Sequence, residues 1–226
     1  MLHRVLEPEV MDSPEEARDY EAMDHAAPNA AFVQRLVDLG AAGAMLDIGT
    51  GPGHIPLLVC ARVPGCRVTG VDLSRHMLEL ATRRLSGSAF AERTLFRCAD
   101  AKALPFFDGA FDAVFSNTIL HHIPDPRTLL SEARRVLKPG GTLLIRDLYR
   151  PQSLRRADEL VARHAGDASG RQQELLRQSL LAALTVEELR AVAEEVGLGP
   201  AAGFEVVVDT DRHMSLQTRL PRNSPR

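Results

Sequence analysis

A chain of 226 residues, 45% hydrophobic and 25% charged, has the composition of a globular protein of one domain, or of one domain with a small cap. Its net charge of −3, with only Lys102 and Lys138 as lysines, offers no basic surplus and makes nucleic acid an unexpected partner. No apolar run reaches the length of a signal-peptide core or a membrane span, and Cys60, Cys66 and Cys98 form no C-x-x-C pair, so free thiols in a reducing cytoplasm are expected.

Residues 1–28 are acidic, interrupted by Pro8 and Pro14, and read as an arm in which Tyr20, Asp24 and His25 stand among small residues. A helix over 29–39 presents Phe32, Val33, Leu36 and Val37 on one face and ends at Gly40 and Gly43. Ala44 to Asp47 is a strand, followed by a turn through Gly49, Gly51 and Gly53 and a helix from His54 to Val63. Pro56 is compatible with that helix because it falls in the first turn. Arg67 to Val71 is a second strand ending at Asp72; Ser74 caps a helix whose Met77, Leu78, Ala81 and Leu85 repeat at helical spacing. Thr94 to Cys98 is a third strand, ending at Asp100, and Phe111 to Ser116 a buried fourth.

Asp125 and Pro126 supply an N-cap and an N1 proline for a helix over 127–137, which stops at Lys138–Gly141; Thr142 to Leu148 is the fifth strand. Strand and helix alternate from 44 to 148, which predicts a parallel sheet with ligands at the carboxyl ends of its strands. Beyond Pro151 the pattern changes to two helices, 153–164 and 171–183, and then a capping box (Thr185, Glu188) opening a helix over 186–196. Strands 204–208 and 214–218 close the sheet. The expected organisation is an arm (1–28), a ligand-binding core (29–150), a helical cap (151–184), a terminal helix and hairpin (185–220), and a tail (221–226).

The glycine spacing narrows the ligand. A dinucleotide turn, G-x-G-x-x-G, would need its third glycine at position 54, which is His54; here it comes one residue earlier, at Gly53. Asp72, at the end of the second strand, is placed to accept hydrogen bonds from both hydroxyls of a ribose. The succession D-x-G-x-G-x-G (from Asp47), VDLS (71–74), CADAKALPF (98–106), FDAVFSN (111–117) and LKPGG (137–141) resembles the class I S-adenosylmethionine-dependent methyltransferases, of the UbiE-like small-molecule type. The resemblance implies a Rossmann-like, doubly wound α/β fold: a mostly parallel seven-stranded sheet with helices on both faces and a C-terminal antiparallel strand. It also implies S-adenosylmethionine as cofactor and methyl transfer to a small-molecule acceptor.

Carried over position by position, the resemblance puts Gly49, Thr50, Gly51 and Gly53 in the turn against the methionine and ribose, with Asp47 orienting that turn or meeting the amino group. Asp72 would take the ribose hydroxyls, and Leu73 and Met77 would flank the adenine. Asp100 and Ala101 would read its edge, and Asn117 would lie beneath the methionine moiety. Acceptor contacts are expected from His121, His122 and Arg146 at the ends of strands four and five, and from Tyr20 and His25 if the arm forms a lid. His121 or His122 is the candidate base; His213 stands at the final hairpin. Arg146 and Asp147 read as an internal ion pair. No metal site is expected, because the histidines show neither finger nor H-E-x-x-H spacing. The alternatives are methylation of a protein or RNA, against which stand the SNTI that follows strand four and the lack of a basic module, and a cofactor-binding partner protein without catalysis. The acceptor atom and the oligomeric state, a homodimer included, are left open.

Overall fold

The computed structural model describes residues 2–7 and 26–219. Its elements are helix α1 (Ala26–Asp38), strand β1 (Ala44–Ile48), α2 (His54–Arg62), β2 (Arg67–Asp72), α3 (Arg75–Ser86), β3 (Thr94–Cys98), β4 (Phe111–Asn117), α4 (Pro126–Val136), β5 (Leu137–Leu148), α5 (Leu154–Ala165), α6 (Gly170–Ala182), α7 (Val186–Glu195), β6 (Phe204–Val208) and β7 (His213–Thr218). The seven strands form one sheet in the order β3-β2-β1-β4-β5-β7-β6. β1 to β5 are mutually parallel, and β7 runs antiparallel to both β5 and β6. The chain winds from β1 out to β3 and then returns to β4 on the other side of β1. That reversal opens a crevice at the carboxyl ends of β1 and β4, where open α/β sheets bind their ligands.

Strand alternation assigns the two faces. Met45, Phe115 and Leu144 point to the side covered by α1 and α2, against Phe32, Leu36 and Val59. Leu46, Ile48, Val114 and Ile145 point to the other side, against Leu129, Leu130 and Ala133 of α4 and Leu189 of α7. Helices α5 and α6 close a third, smaller core with Leu148, through Leu160, Val161 and Leu180.

The capping residues act as expected: Ser74 accepts from the Met77 amide, Asp125 from the Arg127 amide, and Thr185 and Glu188 complete a capping box. Two boundaries differ from the sequence reading by three residues or more. α1 begins at Ala26 rather than 29, because Pro28 fits its first turn. β5 begins at Leu137 rather than 142: Leu137 pairs with Phe111, and the register shifts before Ala113 meets Thr142, so the Pro-Gly-Gly stretch is an irregular strand segment. Residues 8–25, with Tyr20, Asp24 and His25, and the expected tail 221–226 lie outside the described residues. Among the described residues no helix is long and apolar enough to cross a membrane.

Candidate functional site

The turn after β1 is built by backbone that only glycine adopts readily. Gly49, Gly51 and Gly53 have φ of 73°, 53° and 79°. The amides of Gly49 and Thr50 both donate to the Val71 carbonyl, at 2.8 and 2.9 Å, which pulls the turn onto the end of β2. A Cβ on Gly49 would lie 2.4 Å from Ile119, and one on Gly53 2.7 Å from Phe96, whereas one on Gly51 would meet nothing within 4 Å. Gly51 is thus the glycine whose open side faces ligand space. Its amide donates to Asp72 Oδ2 at 2.8 Å, and the Ser74 amide donates to Asp72 Oδ1 at 2.9 Å. Beneath the turn, the Thr50 hydroxyl donates to Asp47 Oδ2 at 2.7 Å. Asp47 is fully buried; burial pushes its carboxyl up to about 7, the Asp72 charge adds to this, and the Thr50 bond opposes it.

These elements wall a partly open cleft with about 130 Å³ of interior space. Gly49, Gly51, Asp72, Leu73, Met77, Asp100, Ala101 and Asn117, all expected from the sequence, line it; Asp47, Thr50 and Gly53 do not, and instead hold the turn. Asp100 Oδ1 accepts from the Lys102 amide at 2.8 Å and faces its ammonium at 3.0 Å, which outweighs partial burial and keeps its carboxyl below the usual range. Asn117 Oδ1 is buried with no hydrogen-bond partner. A buried acceptor left open in a ligand cleft is a place for a ligand donor.

Past Asn117 the chain makes a turn that no sequence pattern announces. Thr118 has φ of 59°, an unfavourable value for a β-branched residue, and is held there by its amide bond to the Arg146 carbonyl at 2.8 Å. The short 3₁₀ turn Leu120–His122 follows and sets the two histidine rings side by side, with centroids 4.2 Å apart. His121 is buried: its amide donates to Asp147 Oδ2 at 2.8 Å, its Nδ1 lies 2.6 Å from Asp147 Oδ1, and its Nε2 lies 3.2 Å from Glu7 Oε1. Burial alone would discharge the ring, but the two carboxylates overcome it and push the imidazole up to about 9. Burial of Asp147 is likewise outweighed by His121, so its carboxyl stays below the usual range. His122 lines the cleft, with Nδ1 3.2 Å from the same Glu7 oxygen.

Glu7 arrives on the N-terminal segment, residues 2–7, which lies against α6 and the histidine turn. The Val5 amide donates to the Leu181 carbonyl at 3.1 Å, and the Ser179 hydroxyl donates to Glu7 at 3.2 Å. The Arg4 guanidinium donates to the carbonyls of Ala182, Pro124, His121 and Ile123. Glu7, His121 and His122 bring ligand-type atoms within 4.8 Å of one another. Within this cluster, both ring nitrogens of His121 are already turned to carboxylates, Nδ1 to Asp147 and Nε2 to Glu7.

Residues 46–145 match the family model described as a methyltransferase domain. The 27-O-demethylrifamycin SV methyltransferase of Amycolatopsis mediterranei is 32% identical over 76% of this chain and 59% of its own length. The ubiquinone/menaquinone biosynthesis C-methyltransferase UbiE of Desulfotalea psychrophila is 40% identical over 49% of this chain and 43% of its own. A crystal structure from Methanococcus maripaludis, assigned as an S-adenosyl-L-methionine-dependent methyltransferase, superposes with a TM-score of 0.72 at 20% identity, covering 97% of this chain and 99% of that one. Residues 46–145 are thus a methyltransferase domain, in a chain that shares the fold of S-adenosylmethionine-dependent methyltransferases. The chain spans about half the length of the curated relatives it matches.

Two side chains just past the matched methyltransferase domain sit elsewhere than the sequence implied. Arg146 and Asp147 are not an ion pair, because consecutive strand residues point to opposite faces. Asp147 turns to His121, and Arg146 turns to the α1 side, 3.5 Å from Asp209 Oδ2. Arg146 therefore lines a second cavity, between α1 and the β5–β7–β6 end of the sheet, and not the cleft. His213 is half enclosed near Arg146 and Arg212; burial and those two charges push its ring down to about 3, so it is neutral and accepts or donates only to Thr210, at 3.0 Å. Glu7, Arg4 and Thr118 were missed from sequence, since none sits in a recognisable spacing.

Proposed function

We propose that this chain binds S-adenosylmethionine in the cleft above the glycine turn and transfers its methyl group to a small-molecule acceptor. The observation that carries the reading is the pairing of Asp72 with the open side of Gly51 at one end of the cleft and the unpartnered Asn117 Oδ1 at the other. Each Asp72 oxygen is fixed by one backbone amide, and the two would face the two ribose hydroxyls. Asp100 and Ala101 would meet the adenine edge, Leu73 and Met77 its faces, and Gly49, Gly51 and Asn117 the methionine moiety. Asp47, Thr50 and Gly53 act one step removed, by holding the turn.

A bound sulfonium supplies an activated methyl group, so the protein contributes in-line positioning and exclusion of water. His122, on the cleft wall, is the histidine that can meet an acceptor. His121 is a positioning residue: both ring nitrogens face carboxylates, and as an imidazolium it has no lone pair with which to take a proton. The relatives' names point to a rifamycin in one case and quinone biosynthesis in the other, one an O- and one a C-methylation, which supports a small organic acceptor without choosing its atom.

Titration calorimetry with S-adenosylmethionine, S-adenosylhomocysteine and NADH tests the assignment. Binding of the first two and not the third is expected. Asp72→Ala should weaken both by about 1–3 kcal/mol, through loss of two charge-assisted hydrogen bonds. Binding of NADH alone, or an unchanged dissociation constant in a folded Asp72→Ala protein, overturns it.

A further inference from the structure

The second cavity holds about 360 Å³ between α1 and the far end of the sheet, and one of its polar groups is buried without a partner. Arg146 Nε is buried without a hydrogen bond, and its nearest carboxylate oxygen, on Asp209, stands 3.5 Å away. That same oxygen already accepts from the Ser215 hydroxyl. Arg35, one wall over on α1, donates only its Nε, to Gln217 Oε1 at 2.9 Å. Among the described residues, two guanidinium groups thus line one cavity, and one of their donors, Arg146 Nε, is buried without a hydrogen bond. Arginine donors removed from water without acceptors are costly, and their planar forks match the two oxygens of a carboxylate or phosphate. Apart from Thr210 and Ser215, the remaining wall is apolar, with Phe32, Leu144, Val207 and Val208. Two arginines against one Asp209 leave the cavity with a net positive charge.

The cavity also adjoins the cleft. Arg146 is the register partner of Asn117, which lines the cleft, and the Arg146 carbonyl holds the strained Thr118 beside it. A molecule anchored at Arg146 would extend towards the methionine end of the cleft. We propose that this cavity is an anion-recognising subsite, in which Arg146 and Arg35 hold a carboxylate or phosphate group of an otherwise apolar molecule. The identification of that molecule as the methyl acceptor rests on the methyl-transfer reading; the anion site itself does not.

Two probe pairs test it on the full chain: cinnamate against cinnamyl alcohol, and phenyl phosphate against phenol, each titrated with and without saturating S-adenosylhomocysteine. At least one anion should bind at least tenfold more tightly than its neutral partner, and which one does so distinguishes carboxylate from phosphate. Arg146→Gln and, independently, Arg35→Gln should each reduce that preference several-fold, while S-adenosylhomocysteine affinity stays within twofold of wild type. Arg35 lies nearer the surface, so its variant keeps the test decisive if Arg146→Gln melts early. Equal binding of anion and neutral partner, no binding of either anion at 10 mM, or a preference that survives both substitutions overturns the subsite. Failure of S-adenosylhomocysteine to bind, with the anion preference intact, would instead overturn the cofactor assignment and leave the subsite standing.

Discussion

Replacing Asp147 by Asn keeps the shape of the side chain and removes its charge. In the native protein that carboxylate accepts the His121 and Leu148 amides and faces the His121 ring at 2.6 Å, in full burial. The rise of His121 from 6.5 to about 9 corresponds to about 3 kcal/mol of preference for the charged ring in the folded state, near the low end of the 3–5 kcal/mol lost when one member of a buried pair is removed. A group raised on folding gives stability that is complete below its unfolded value and disappears as pH climbs through its folded value. The wild-type contribution is therefore whole at pH 6 and fades between pH 6.5 and 9. Asp147 and Glu7 are both held below their usual values, so they add stability that is lost in acid, as pH falls through those lowered values. Urea unfolding of wild type and Asp147→Asn from pH 6 to pH 10 should show a gap of about 3 kcal/mol at pH 7, equivalent to about 6–12 °C in melting temperature for a chain of this size. That gap should narrow steadily from pH 7 to pH 9 and be small above it. A gap constant across the range, or below about 1 kcal/mol at pH 7, would show that the pair is not what secures the histidine turn.

Gly49→Ala and Gly51→Ala should separate fold from ligand binding: the first forces a left-handed alanine into Ile119 and should cost about 2–4 kcal/mol in urea unfolding. The second meets no neighbour and should cost about 1–2 kcal/mol, while its methyl group enters the cleft and weakens cofactor binding measured by calorimetry. Asp47→Asn should gain on wild type as pH rises from 4 to 7, by up to about 4 kcal/mol, because the native carboxyl stays protonated up to about 7 while the unfolded one ionises near 3.8; melting temperatures at pH 5 and 8 check this. His122→Ala should bind S-adenosylmethionine within twofold of wild type and show reduced turnover once an acceptor is in hand; full turnover removes His122 from the acceptor site.

The sheet, its order of elements and which residues gather around the glycine turn were legible because they rest on local signals. Period-two and helical repeats mark the faces, Ser74, Asp125 and Thr185 mark helix starts, and three glycines at fixed intervals mark a turn that other residues cannot make. The acceptor side was less legible because it rests on contacts between segments far apart in sequence. Nothing about Glu7 in its own neighbourhood says that it will meet His121 and His122, and nothing about Asp209 says that it will face Arg146. The strained Thr118 is fixed by a neighbouring strand and not by its own preference. One error was avoidable: a strand with Arg146 next to Asp147 cannot pair those two side chains, since the period is two.

That alternation along β5 also explains why its two faces serve different ends. On the α4 side, Ile145 packs into the larger core, and Asp147 meets His121, itself joined by Glu7 and flanked by Arg4. There each charge has an opposite charge or several carbonyls within hydrogen-bond reach, so the region is complete as folded, and perturbing it should register chiefly as lost stability. On the α1 side, Leu144 packs beneath Phe32, but Arg146 reaches a cavity in which its Nε has no hydrogen-bond partner. A folded chain keeps a buried donor unsatisfied only where packing compels it or where something outside the chain completes it. Packing does not compel it here, because the cavity leaves room for the side chain to turn. One strand thus carries a satisfied charge that fixes the turn bearing His122 and, one residue away, a paired charge with one buried donor left open, beside a cavity that a bound molecule can enter.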